Sequence, residues 1–164
     1  MLFMKFSKHE LEEVRKWMHR NARPLDLARW RMHFEDGCAD DVFSALSFYQ
    51  NEDGGFGHAL EADSWNPNSS PVETFCATEI IYETGVKGTN RLIEGILKYL
   101  DSGRDFNNGK WDALVQSNND YPHAPWWTYD EKRIEAWGYN PTIALAVFAL
   151  IYSKPQSLLY KKSR

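Results

Sequence analysis

The residues with the most chemistry in this chain follow a glycine turn. His58, Glu61 and Asp63 fall in one short polar stretch, with Asn66, Asn68 and Glu73 just beyond. A positioned carboxylic acid can protonate an alkene or an ether oxygen. A histidine with two carboxylates can also hold a metal ion. Glu61, Asp63 and His58 are therefore the candidate catalytic residues, with Glu73 and Asn66 as substrate contacts; no metal is assigned and no cofactor is specified. The same residues fit a polar surface loop held by its own Asn and Ser caps. A second cluster holds Tyr121, His123, Trp126, Trp127, Tyr129 and Asp130. Aromatic faces stabilise cations or stack on sugar rings, which makes Trp126, Trp127 and Tyr129 candidate ligand contacts. A long loop burying its own tryptophans accounts for them as well. Glu79, inside an apolar helical pattern, has a raised pKa if buried and an ordinary one if it faces water.

These loops are carried by helices. Ser7 and Glu10 form a capping box ahead of Leu11, Val14 and Met18. Pro24 starts a second helix that Asp36-Gly37 ends, and Asp40 or Asp41 caps a third carrying Val42, Leu46 and Tyr49. Ser70-Pro71 opens a fourth, ended by Gly85, and Thr89 is the expected cap of a fifth with the stripe Leu92, Ile93, Ile96 and Leu100. Residues 104–139 read as loop, with at most a turn of helix near Trp111. Asn140-Pro141 opens a sixth, wholly apolar helix, expected to be buried. A helix with one wet face (89–102) thus lies between two with little wet face (71–84 and 141–152), which suits two layers of helices. The expected organisation is one all-α domain over 1–155, followed by a polar tail over 156–164.

The chain has 164 residues, enough for a sizeable core. Its net charge of -4 argues against nucleic acid as a partner, because such binders carry a basic patch. Cys38 and Cys76 match no zinc spacing and lie in helical patterns, where a free thiol behaves as a small hydrophobe; a reducing cytoplasm is the expected location. The opening Met1 to Phe6 is too short an apolar stretch for a signal peptide. The run Ile143 to Tyr152 is far short of the roughly 20 residues a membrane span needs.

One motif organises the chain. Gln50-Asn51-Glu52-Asp53-Gly54-Gly55-Phe56-Gly57 stands between two helical patterns, and a weaker version, Phe106-Asn107-Asn108-Gly109-Lys110-Trp111, stands between the next two. A helix, a glycine-aromatic turn and a Pro-initiated helix, recurring at roughly 55 to 70 residues, indicate a helical repeat. Over about residues 38–152 this pattern resembles the α/α-toroid superfamily of terpenoid cyclases and protein prenyltransferase β subunits, whose repeats carry a Gln…Asp-Gly-Gly-Trp/Phe-Gly turn. The resemblance implies a toroid-like, two-layer array of helical hairpins, about half a ring. It also implies that the loop after the turn leads toward a central cavity. The motif itself is expected to be structural, with glycines at positive φ, Asp53 accepting backbone N–H groups and Phe56 filling a gap. The chain departs from the cyclases, since Asp40-Asp41 is no Asp-x-Asp-Asp acid motif, and from the prenyltransferases, since it has no Asp-x-Cys zinc ligand pair.

The resulting expectation is an enzyme, or a remnant of one, binding an isoprenoid-like ligand in an aromatic-lined cavity. The alternatives are a carbohydrate-active α/α-barrel protein, a lyase or hydrolase with paired acids across a groove, and a non-catalytic assembly module. In the last, an apolar helix over 141–152 would pair with another copy as a homo-oligomer.

Overall fold

The computed structural model describes residues 6–164; Met1 to Lys5, with the expectation placed on them, lie outside the described residues. The chain is mostly helical, with one small antiparallel hairpin. It divides into two compact units, Met1–Leu46 and Ser47–Arg164.

The first unit contains α1 (Lys8–Asn21) and α2 (Pro24–Phe34), and α3 (Ala39–Ser47) runs to its boundary. The capping box forms as expected. Ser7 Oγ accepts the Glu10 N–H at 3.2 Å, and the Ser7 N–H donates to Glu10 Oε2 at 2.7 Å. No residue of α1 is buried, and Leu11, Val14 and Trp17 are all exposed. Polar contacts link α1 to α2. Glu35, just past the end of α2, receives Arg15 Nε (3.0 Å) and His19 Nε2 (2.8 Å) from α1, and Trp30 Nε1 (2.9 Å) from α2. These donors, His19 foremost, pull the Glu35 carboxyl down to a pKa of about 2.

The second unit holds α4 (Pro71–Glu83), α5 (Arg91–Asp101), β1 (Phe106–Asn107), β2 (Lys110–Trp111), α6 (Glu131–Ile134), α7 (Thr142–Tyr152) and α8 (Leu158–Lys162). Ser70 caps α4, its Oγ accepting the Glu73 N–H at 3.2 Å, with Pro71 at the first helical position. The cap of α5 is Asn90, not Thr89: its Oδ1 accepts the Ile93 N–H at 3.0 Å. The principal core joins Ala77, Ile80 and Ile81 of α4, Ile93, Ile96, Tyr99 and Leu100 of α5, and Leu145, Phe148 and Ala149 of α7. Helix α7 packs on both α4 and α5, and α8 packs on α5 and α7. The residues read as a polar tail thus carry a helix, capped by Ser157, whose Leu159 is 3% exposed.

Two other expectations change. Trp111 lies in a strand, not in a helical turn, because Asn108 (φ 51°) and Gly109 (φ 81°) take the two positive-φ positions of a tight hairpin turn. Helix α7 is buried on one side only. Ile143, Val147 and Ile151 remain 66%, 45% and 58% exposed and make an apolar ridge at helical spacing. Among the described residues no single helix is long and apolar enough to cross a membrane.

Candidate functional site

The glycine turn is built by hydrogen bonds that reach well beyond it. Gln50 Nε2 donates to the Gly54 carbonyl and to the Leu92 carbonyl, each at 3.0 Å, so one amide joins the turn to α5. Asp53 Oδ1 accepts the Gly55 N–H (2.9 Å) and the Ser69 hydroxyl (2.7 Å), while Oδ2 pairs with Arg104 at 2.7 Å. Gly54 sits at φ 94°, and a Cβ there would stand 2.1 Å from the Gly95 carbonyl oxygen. Only glycine meets both the left-handed backbone and that approach. Phe56 is fully buried.

The two copies of the motif share one device. The Phe56 N–H donates to Thr74 Oγ1 at 3.2 Å, and the Trp111 N–H donates to Thr142 Oγ1 at 2.9 Å. Each threonine lies in the first turn of the helix that follows its motif, and each is buried. Residues 112–141 lie between Trp111 and α7, a longer connection than residues 57–70 between Phe56 and α4, and the contact is the same in both.

Residues 58–70 and 116–130 form one structure. Ser64 bridges His123 in antiparallel fashion, the Trp65 N–H donates to the Pro122 carbonyl (2.9 Å), and the Ala124 N–H donates to the Asp63 carbonyl (2.8 Å). The two candidate clusters therefore meet, and in meeting they use their polar atoms on one another. Asp63 Oδ1 accepts the indole N–H of Trp127. Trp127 is buried with Val72, Ala113 and Leu114 and stacks on Trp137, ring centres 5.2 Å apart, with Tyr129 packed against the cluster. Asn66 is 1% exposed and donates to Ser117 Oγ (2.8 Å) and Asn118 Oδ1 (2.9 Å). Trp126 is 51% exposed.

The acids are similarly engaged. Glu73, 1% exposed, accepts the Glu61 N–H on Oε2 at 2.6 Å. Glu61 Oε2 accepts the Cys76 thiol at 3.6 Å. Burial pushes the Cys76 thiol well above its ordinary range, and the carboxylates of Glu61, Glu73 and Glu79 add to the shift. Glu79 itself is exposed. Cys38 is exposed as well, not a packed hydrophobe. His58, at φ 61°, points its Nε2 to Asn51 Oδ1 at 2.9 Å and is exposed. His58, Glu61 and Asp63 thus have separate partners, Asn51, Glu73 with Cys76, and Trp127. Among the described residues no group of three His, Cys, Asp or Glu side chains is placed to hold a metal ion.

Concavities lie elsewhere. A groove of about 360 Å³ runs along α7, lined by Phe106, Trp111, Ile143, Ala146, Val147 and Leu150 and also by Tyr139, Lys162 and Arg164. A polar cleft of about 410 Å³ is lined by Asp112, Tyr129, Glu131 and Glu135, with Lys110 Nζ 3.4 Å from Glu135. Sequence reasoning missed both. The available signals were the aromatics of the second motif copy and an apolar helix with more hydrophobic faces than one core covers. Comparisons of this chain with protein-family models, with curated proteins and with solved structures found no match.

Proposed function

We propose that this chain is a helical-repeat protein of the toroid kind that binds an isoprenoid-like apolar ligand, without catalysis by the His58–Asp63 loop. The observation that carries the reading is the α7 groove. Its volume falls in the roughly 300–1,000 Å³ range of small-molecule sites, and its lining is mostly aliphatic and aromatic. The recurrence of the aromatic-to-threonine contact supports the repeat architecture. The partners of Asp63, Glu61 and Glu73 support a structural role for the loop acids, since a carboxylate that holds a backbone or indole N–H is poorly placed to deliver a proton. Two free cysteines, one of them exposed, favour a reducing compartment and hence the cytoplasm. Titration with an isoprenoid alcohol such as farnesol tests the reading. Saturable binding that Ala146→Trp weakens at least tenfold, by filling the groove, is expected. Binding that ignores this substitution refutes it.

The polar cleft favours a second reading, a carbohydrate ligand. Tyr129 lines it together with Asp112, Glu131 and Glu135. Line-broadening of oligosaccharide signals by this protein, abolished in Tyr129→Ala, would support that reading over the first.

A further inference from the structure

We propose that the α7 groove selects an amphiphile with an anionic oxygen head, a carboxylate on an apolar chain, over a neutral molecule of the same length. This rests on the reading of the groove as a ligand site and names the class of ligand it takes.

The residues lining the groove are of two kinds. Along α7 the lining is Ile143, Ala146, Val147 and Leu150; Lys162 and Arg164 add two cationic side chains, and no acidic side chain among the described residues lines the groove. An apolar chain with a negative end matches the aliphatic lining and the Lys162 ammonium at once. Lys162 is held toward this site. Its Nζ lies 4.8 Å from the centre of the Phe106 ring, a cation–π contact, and it forms no ion pair among the described residues.

The second observation is independent of charge. Trp111 is 2% exposed and lines the groove, and its indole N–H is buried with no hydrogen-bond partner. A buried donor left without an acceptor is costly, and native structures rarely keep one. A ligand oxygen that parts the side chains over the indole supplies the acceptor. The indole is fixed for this by edge-on packing against Phe106, ring centres 4.7 Å apart, and by the Trp111 backbone bonds to Thr142. The ligand would lie with its chain along Ala146 and Leu150, one oxygen on Trp111 Nε1, and its charge beside Lys162.

The experiment is calorimetric titration of the full chain with decanoate and with decan-1-ol, below their aggregation limits and at low salt. Decanoate is expected to bind at least tenfold more tightly. Added salt should weaken decanoate at least threefold and leave decanol unchanged, because the pairing is close to solvent. Lys162→Ala should erase the difference between the two ligands, and Trp111→Phe should weaken decanoate severalfold. Should Trp111→Phe fail to fold, the salt series and Lys162→Ala carry the test, since Lys162 lies on the surface. Equal affinity for both ligands overturns the anionic head and leaves the apolar groove standing. Failure of both to bind overturns the groove as a ligand site. A dimer in light scattering that decanoate leaves intact, and that Val147→Arg dissolves, gives the groove to a second copy and overturns both readings.

Discussion

Replacing Thr74 or Thr142 with valine tests whether the two turns share one structural device. Valine keeps the shape and removes the oxygen. In Thr74→Val the Phe56 N–H loses its acceptor at 3.2 Å, and in Thr142→Val the Trp111 N–H loses its acceptor at 2.9 Å. Both threonines are buried, at 0% and 8% exposure, and both aromatics are buried with them, so water is poorly placed to substitute. Each hydroxyl also donates its own proton, to the Ser70 carbonyl at 2.8 Å and the Trp111 carbonyl at 3.2 Å. Orphaning a buried N–H costs about 1–3 kcal/mol. Taking about 2 kcal/mol for each, the melting temperature should fall by about 8 °C per substitution, since a unit of this size loses roughly 4 °C per kcal/mol. The two sites share no hydrogen-bond partner, so the double variant should lose about 4 kcal/mol. Urea unfolding followed by far-UV circular dichroism measures this, with Thr→Ser at each position as the control that keeps the oxygen. A loss of about 2 kcal/mol at one site and under about 0.5 kcal/mol at the other would refute the equivalence of the turns. Serine variants as damaged as the valine variants would show that the methyl group matters and the hydroxyl does not.

Glu35 makes the first unit sensitive to acid. Its folded pKa of about 2 lies below the ordinary 4.5, so its contribution is complete above pH 4.5 and is lost as pH falls toward 2. The gap in melting temperature between the parent and Glu35→Gln should therefore narrow steadily over that interval, and a constant gap would contradict the hub formed with His19, Trp30 and Arg15. The two cysteines should differ in reactivity. Cys38 is exposed, whereas the Cys76 thiol is held protonated by burial and by the carboxylates around it. At mildly alkaline pH a disulfide reagent should modify Cys38 at least a hundredfold faster, because the thiolate is the reacting form; equal rates would show that the α4 environment opens readily.

The sequence by itself determined what depends on neighbours along the chain. The capping box at Ser7 and Glu10 and the Ser70-Pro71 helix start need partners only three residues apart, so their signals survive in one dimension. The glycine turn was legible for the same reason, since positive φ is a local property of the backbone. The candidate site was legible only as two unrelated loops. That Asp63 would meet Trp127, that Glu73 would hold the Glu61 backbone, and that Asn66 would be buried against Asn118 were decided by tertiary structure, because these partners are far apart in sequence. The joining also changes what the residues can do, for an acid already holding an indole N–H has lost the freedom that suggested catalysis. The α7 groove is the converse case. An apolar run of ten residues reads as core, yet a helix has a full circumference, and α4, α5 and α8 cover only part of this one. Which face stays open is fixed by the packing of distant elements, and no periodicity within the helix itself records it.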